Sequence, residues 1–163
     1  MSAGRNYVAI AELELARAPA TLAALGLGSC VAVIMHDPVA AVGGLAHVLL
    51  PSPSVGRPRP ASAGRFAPTA VAKLVEGLIA MGATQPRLTA RLVGGASMFA
   101  SLQPPGTIQM GERNVLAVRE ALHRNRIRLI GEVVGGEFGR SVSFDVATGR
   151  VLVTSYEHGE VEL

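Results

Sequence analysis

Apolar residues in this chain fall mostly into short runs typical of strands. Residues 30–37 (CVAVIMHD) form a continuous apolar run, which predicts a strand buried on both faces. Residues 42–51 (VGGLAHVLLP) predict a further strand. Because Asp37-Pro38 favours a turn and few residues separate the two runs, we expect them to pair as a hairpin.

The rest of the pattern predicts a mixture of strands and two helices. Further strands are predicted over residues 7–15, 87–95, 127–136, 140–149 and 150–159. Apolar residues three and four apart predict helices over 67–83 and 111–126, with a short helix or turn over 96–102. Residues 51–64 have little to bury and predict a mobile surface loop next to the second hairpin strand. The expected fold is a single α/β domain of the mixed α+β type over residues 1–163, its sheets covered by two amphipathic helices.

Composition narrows the classes of function. The chain has 163 residues, of which 49% are hydrophobic and 4% aromatic, so its core is aliphatic. Its net charge is +3, but the arginines are scattered and stacking aromatics are scarce, so we expect no nucleic-acid partner. Residues 18–35 carry no charge, yet prolines and glycines interrupt them and their second half is short and β-branched. We therefore expect no membrane insertion, and with no signal-peptide core at the N-terminus we expect a cytoplasmic protein.

Cys30 is the only cysteine, which excludes an internal disulfide. It is either a small buried core residue or a nucleophile at the mouth of a strand. The residues before it, Gly26, Gly28 and Ser29, favour the second reading, because glycines let a substrate approach the backbone closely. Backbone N–H groups at Gly28 and Ser29 are candidates for supporting an oxyanion.

His47 lies in the second strand of the predicted hairpin, where a lone histidine is commonly a core residue. If the two strands pair, however, His47 lies near Cys30, and an imidazole in reach would lower the pKa of the thiol. Such a pair is the minimum for cysteine-type acyl transfer, in which a third residue normally orients the histidine. With one cysteine and no close pair of histidines, we expect no metal site and no cofactor.

Five motifs in order resemble the CheD family of chemoreceptor glutamine deamidases. They are GLGSCVAV, GGLAHVLLP, VGGASMF, GERN and GG-x-x-GR-x-V-x-F-D-x-x-TG, and the resemblance runs from about residue 7 to about residue 157. It implies a fold similar to that of deamidating bacterial toxins, and hydrolysis of glutamine side chains on chemoreceptor cytoplasmic helices to glutamate. It also implies Cys30 as nucleophile, His47 as general base and acid, a thioester intermediate, and a CheC-type phosphatase as a partner.

Two positions depart from the family pattern. The threonine that the family often carries six residues before the cysteine is Ala24 here, and the nearest threonine is Thr21. Thr21, Ser29 or a backbone carbonyl is therefore left to orient His47. An acidic residue that the family tends to carry two positions before the late glycine pair is Val133 here.

Two other functions remain open at this stage. The missing threonine is compatible with a binding module on the same fold, which would dock on receptor helices or on a CheC-type phosphatase without chemistry. A hydrolase acting on a different amide or thioester is the remaining alternative.

Overall fold

The computed structural model describes residues 4–53 and 62–163. Within these ranges the chain forms ten strands and two α-helices. In chain order they are β1 (Arg5–Tyr7), β2 (Leu13–Arg17), β3 (Thr21–Leu27), β4 (Val31–Asp37), β5 (Val42–Val48), α1 (Ala67–Ala80), β6 (Thr89–Gly94), α2 (Met110–Arg124), β7 (Arg128–Val134), β8 (Arg140–Asp145), β9 (Val151–Ser155) and β10 (Gly159–Glu162).

The elements form three layers: two helices, a central sheet and an outer sheet. The central sheet has the order β2-β5-β4-β6-β7, and the outer sheet has the order β1-β3-β8-β9-β10. Apolar side chains of α1 and α2 pack on one face of the central sheet. Its other face packs on the outer sheet and forms a second apolar cluster, which we call the inter-sheet layer. The mixed α+β domain predicted from the sequence is confirmed.

Strand β4 lies in the middle of the central sheet and all seven of its residues are buried. Val33 and Met35 face the helices, whereas Ala32 and Ile34 face the inter-sheet layer. The continuous apolar run arises because both faces of the strand are covered. Strands β4 and β5 pair antiparallel, so the predicted hairpin is confirmed.

The predicted strand over residues 7–15 is wrong as a single element. Strand β1 belongs to the outer sheet and β2 to the central sheet, with a turn between them in which Ala11 has a φ of 71°. Loose alternation of apolar residues continues through this turn, so periodicity alone does not reveal the change of sheet.

Strands β3 and β10 were not predicted. Strand β3 has the sequence TLAALGL, whose alanines and glycine are weak strand formers, and every residue of β10 is exposed.

Both predicted helices and the short helix within 96–102 are present, although α1 ends three residues earlier than predicted. The predicted loop over 51–64 lies largely outside the described residues. In the part of the chain that the structure describes, no helix is long and apolar enough to cross a membrane.

Asp37 fastens the turn after β4 to the connection between α1 and β6. Its buried carboxylate accepts hydrogen bonds from the backbone N–H groups of Val39, Ala40 and Thr84 at 3.0–3.1 Å. The guanidinium Nε of Arg87 donates to both carboxylate oxygens at 3.0 and 3.1 Å. Although burial opposes ionisation, these donors lower the pKa of Asp37 from 3.8 to about 2.

We expect Asp37→Asn to lower the free energy of unfolding by about 1–2 kcal/mol at neutral pH, since a pKa held near 2 corresponds to about 2 kcal/mol and solvent at Arg87 screens part of it. Because the folded-state pKa is below the unfolded value of 3.8, this stabilisation is present above about pH 4 and is lost as the pH falls through about 2. Urea unfolding across this range measures the effect. Asp145→Asn is the matched control, since the carboxylate of Asp145 also caps a strand turn, where it accepts from the backbone N–H groups of Ala147 and Thr148, but among the described residues it has no side-chain donor like Arg87. An equal loss of unfolding free energy in Asp37→Asn and Asp145→Asn would contradict this role of Asp37. So would a difference between wild type and Asp37→Asn that persists below pH 2.

Candidate active site

Cys30 lies between β3 and β4 and is 7% exposed. Its carbonyl oxygen accepts a hydrogen bond from the N–H of Gly95 at 2.8 Å. Gly94 has a φ of 115°, and a Cβ there would lie 2.3 Å from the same oxygen, so only glycine permits this approach. Buried Arg140 in turn donates from Nη1 to the carbonyl oxygen of Gly94 at 3.2 Å. The end of β6 therefore fixes the backbone at Cys30.

His47 lies on the same face of the central sheet as Cys30. In the register of β4 and β5, His47 stands opposite Ala32, two residues after Cys30. Side chains two residues apart on a strand share a face, so Cys30 and His47 form a diagonal cross-strand pair in the inter-sheet layer. The strand register thus places the two residues that the sequence singled out on one face, in neighbouring strands.

A backbone carbonyl orients the imidazole of His47. Its Nδ1 lies 3.0 Å from the carbonyl oxygen of Val8. A carbonyl oxygen only accepts, so Nδ1 carries the proton and the neutral ring has its lone pair on Nε2. Nε2 is buried and has no hydrogen-bond partner among the described residues. The arrangement leaves Nε2 free to accept a proton.

The turn before β2 also holds the backbone of His47. The N–H of His47 donates to the carbonyl of Glu12, and the N–H of Ala11 donates to the carbonyl of His47, both at 2.9 Å. Val8 itself donates from its N–H to the carbonyl of Ala23 in β3 at 2.7 Å. Segment 8–12, which the sequence pattern predicted as part of a strand, is therefore the support of the histidine.

Burial sets the charge state of the pair. It raises the pKa of the Cys30 thiol, and the backbone N–H of Cys30, close to its own sulfur, opposes this with a smaller effect. Burial also lowers the pKa of His47, against the smaller opposing effect of its bond to Val8. The expectation of a lowered thiol pKa is therefore wrong for the free protein. At neutral pH the pair rests as an uncharged thiol and an uncharged imidazole.

Gly28 and Ser29 are half-buried, and their carbonyl groups are held by a residue after β6 and by a residue of α2. The carbonyl of Gly28 accepts from the N–H of Ala96 at 2.8 Å. That of Ser29 accepts from Nδ2 of Asn114, a fully buried residue of α2, at 2.9 Å. Sequence reasoning missed a role for Asn114, although it lies in the GERN motif that carries part of the family resemblance.

Thr21 is not brought to the pair. It begins β3, opposite Asp145, and β3 then runs for about 20 Å before it ends near Cys30. Ala24 is fully buried in the inter-sheet layer and offers no hydroxyl group. Val133 packs against the same layer. The carbonyl of Val8, and not the hydroxyl of Thr21, therefore orients the ring of His47.

A cleft of about 200 Å³ opens beside Ser29. It is lined by Ser29, Ala96, Ser97, Met98, Phe99, Gln103, Gln109, Met110 and Gly111. Met98 and Phe99 are exposed there by 49 and 67%, and Leu102, next in sequence to the lining residue Gln103, is exposed by 78%. Larger hollows, of about 480 and 520 Å³, lie over α2 and at the opposite end of β4. The cleft beside Ser29 is smaller, but it carries an exposed apolar rim and adjoins residues 28–30, which we call the nucleophile loop after the candidate role of Cys30.

The chain is similar to named proteins over nearly its whole length. It is 44% identical over 156 residues to the chemoreceptor glutamine deamidase CheD of Thermotoga maritima, covering 96% of this chain and 95% of that protein. It is 43% identical over 157 residues, with the same coverage, to the probable chemoreceptor glutamine deamidase CheD of Symbiobacterium thermophilum. A Neisseria meningitidis protein of the DUF152 family has a similar solved structure, with a TM-score of 0.46 and 10% identity over 78% of this chain and 54% of its own.

The family model described as CheD chemotactic sensory transduction matches residues 49–155, about two thirds of the chain. This match begins two residues after His47, whereas the full-length relatives also align with the part that carries Cys30 and His47. With relatives above 40% identity over almost the entire chain, this protein belongs to the CheD family.

Proposed function

We propose that this protein hydrolyses the side-chain amides of specific glutamines on the cytoplasmic helices of chemoreceptors and leaves glutamate. The names of its relatives support the substrate class, and the local geometry supports the reaction type. The observation that carries the proposal is the diagonal pair of Cys30 and His47, in which Nδ1 is bonded to the carbonyl of Val8 and Nε2 is free.

The first half of the reaction forms a thioester. Nε2 of His47 takes the thiol proton as the sulfur of Cys30 attacks the amide carbon of the glutamine side chain, which gives a tetrahedral oxyanion. The imidazolium then gives its proton to the amide nitrogen. Ammonia leaves, and the side chain stays bound to Cys30 as a thioester.

The second half releases the product. Nε2 takes a proton from a water molecule as its oxygen attacks the thioester carbon, and a second oxyanion forms. When this collapses, the carbon–sulfur bond breaks and the thiolate regains its proton from the imidazolium. One water is consumed, and one ammonia and one glutamate side chain are produced.

The backbone N–H of Cys30 is the donor best placed for the oxyanion. It lies close to the sulfur, where the oxyanion forms after attack. The carbonyl groups of Gly28 and Ser29 are each fixed by a hydrogen bond, which holds the backbone before Cys30 in place.

The surface beside the pair suits a protein substrate. Exposed Met98, Phe99 and Leu102 adjoin the cleft next to Ser29 and provide apolar area for a receptor helix. A CheC-type phosphatase bound at the same face would compete with the receptor and restrain the deamidase. The proposed action on cytoplasmic helices requires a protein that works in the cytoplasm.

The neutral, buried pair also favours one alternative: a binding module that docks on receptor helices without chemistry. A raised thiol pKa means that slow alkylation of Cys30 in the free protein is expected under either function. Only product formation distinguishes them.

We expect Cys30→Ala to abolish ammonia release from a receptor cytoplasmic fragment, because no other cysteine is present. His47→Gln should lower the rate about 10²- to 10⁴-fold through loss of the general base. Mass spectrometry of the fragment counts the glutamines converted to glutamate.

The matched control is His36→Gln, since His36 is also buried with a ring nitrogen 2.9 Å from a backbone carbonyl, but lies at the other end of β4. A Cys30→Ala protein with the wild-type rate would exclude the proposed mechanism, and a wild-type protein that binds the fragment without converting it would establish the binding module.

We expect kcat/KM for the receptor fragment to fall as the pH decreases, with a midpoint below 6.5. His47 must be uncharged to act as a base, and burial lowers its pKa below its ordinary value of 6.5. Because the thiol loses its proton only during attack, the rate should not wait for ionisation of Cys30 above pH 9. A pH–rate profile gives the acid midpoint of wild type and of the control His36→Gln, with the fold of each protein checked by circular dichroism. An acid midpoint at or above 6.5, or a rate that follows thiol ionisation, would contradict the neutral pair.

A further inference from the structure

Asn114 occupies a position that joins the two halves of the candidate site. It is fully buried in the second turn of α2, and its Nδ2 donates two hydrogen bonds to main-chain carbonyl groups. One goes to Ser29, directly before Cys30, at 2.9 Å, and the other goes to Leu49, two residues after His47, at 3.0 Å. Leu49 follows Val48, the partner of Val31, and so lies across from Cys30 in the hairpin register.

The orientation of the Asn114 amide follows from its partners. Both partners are carbonyl oxygens, which only accept, so the nitrogen must face them. Both N–H bonds are therefore used, while Oδ1 is buried with no hydrogen-bond partner among the described residues. A buried, unpaired acceptor is costly, so the donors are what this residue contributes.

The hydrogen bond to Ser29 controls where the N–H of Cys30 points. These two groups belong to one planar peptide unit, and in a trans peptide the C=O and N–H point in opposite directions. Fixing the carbonyl of Ser29 towards α2 directs the N–H of Cys30 away from α2. On that side lies the inter-sheet layer, where the thiol of Cys30 is packed.

Close packing fixes the height of Asn114 above the site. A Cβ on Gly111, three residues earlier in α2, would lie 2.3 Å from the carbonyl oxygen of Ala96. The helix therefore approaches the end of β6 as closely as its backbone allows. Residues 95 and 96 in turn donate to the carbonyl groups of Cys30 and Gly28.

We propose that Asn114 is a positioning residue for the deamidation: it aims the N–H of Cys30 at the developing oxyanion and ties the nucleophile loop to the strand of the base. The inference rests on the proposed function. Asn114 touches neither sulfur nor substrate, and acts only through the Ser29–Cys30 peptide and the backbone after His47.

The test is Asn114→Leu, which keeps the size of the side chain, adds no charge and removes both donors. We expect kcat on the receptor fragment to fall about 10- to 100-fold, as for a misplaced oxyanion donor, with KM within about twofold of wild type. We also expect the pH midpoint of Cys30 alkylation to rise, because the N–H of Cys30 no longer opposes the effect of burial on the thiol pKa.

Two controls separate positioning from loss of stability. Val118→Ala removes buried contacts from the same helix one turn after Asn114, and should lose stability while keeping kcat. Asn125→Ala removes an amide donor from the other end of α2, where Nδ2 binds the carbonyl of Ala121 at 2.8 Å, and should leave kcat and the alkylation midpoint unchanged.

An Asn114→Leu protein whose kcat matches that of Val118→Ala, with an unmoved alkylation midpoint, would overturn the proposal. If the variant does not fold, Asn114→Ser retains one hydroxyl donor and should lose less activity in the same direction, whereas wild-type values of both quantities would overturn the role. The alkylation measurement needs no substrate. If wild type releases no ammonia, the proposed function fails, and the alkylation midpoints still decide whether Asn114 positions Cys30.

Discussion

The candidate site depends on one register, that of β4 against β5. Side chains alternate between faces along a strand, so a slip of one residue would move His47 from the inter-sheet layer to the helix side. Burial on both faces prevents this slip, because one face of the central sheet packs on the helices and the other packs on the outer sheet. The hydrophobic packing that stabilises the central sheet is thus also what places Cys30 and His47 on one face.

The same burial shapes the chemistry. It removes water from both functional groups, which raises the pKa of Cys30 and lowers that of His47, so the resting pair is uncharged. An uncharged thiol is protected from adventitious reaction. In the proposed mechanism it becomes a nucleophile only when an amide carbon is presented and Nε2 of His47 takes its proton. Backbone groups then supply the direction: the carbonyl of Val8 holds the ring, and Asn114 holds the peptide before the sulfur.

The sequence predicted the parts of the site that side-chain identity and periodicity can reveal. The buried run of β4, the hairpin and the pair of Cys30 and His47 follow from apolar spacing and residue type. Strand β3 was missed because its alanines and glycine give a weak strand signal. The support from Val8 was not identifiable by residue, because every residue has a carbonyl group and only the fold shows which one faces the ring. A role for Asn114 depends on where α2 packs, which helical periodicity does not specify.

The protonation of the His47 ring is the most direct test of whether this pair works as an oriented base and a neutral thiol. Nitrogen-15 NMR of the imidazole, assigned by comparison with His47→Gln, reports which ring nitrogen carries hydrogen. At neutral pH we predict a proton on Nδ1 and none on Nε2. A proton on Nε2, or a doubly protonated ring at neutral pH, would contradict the orientation by Val8 and the proposed role of His47 as the base.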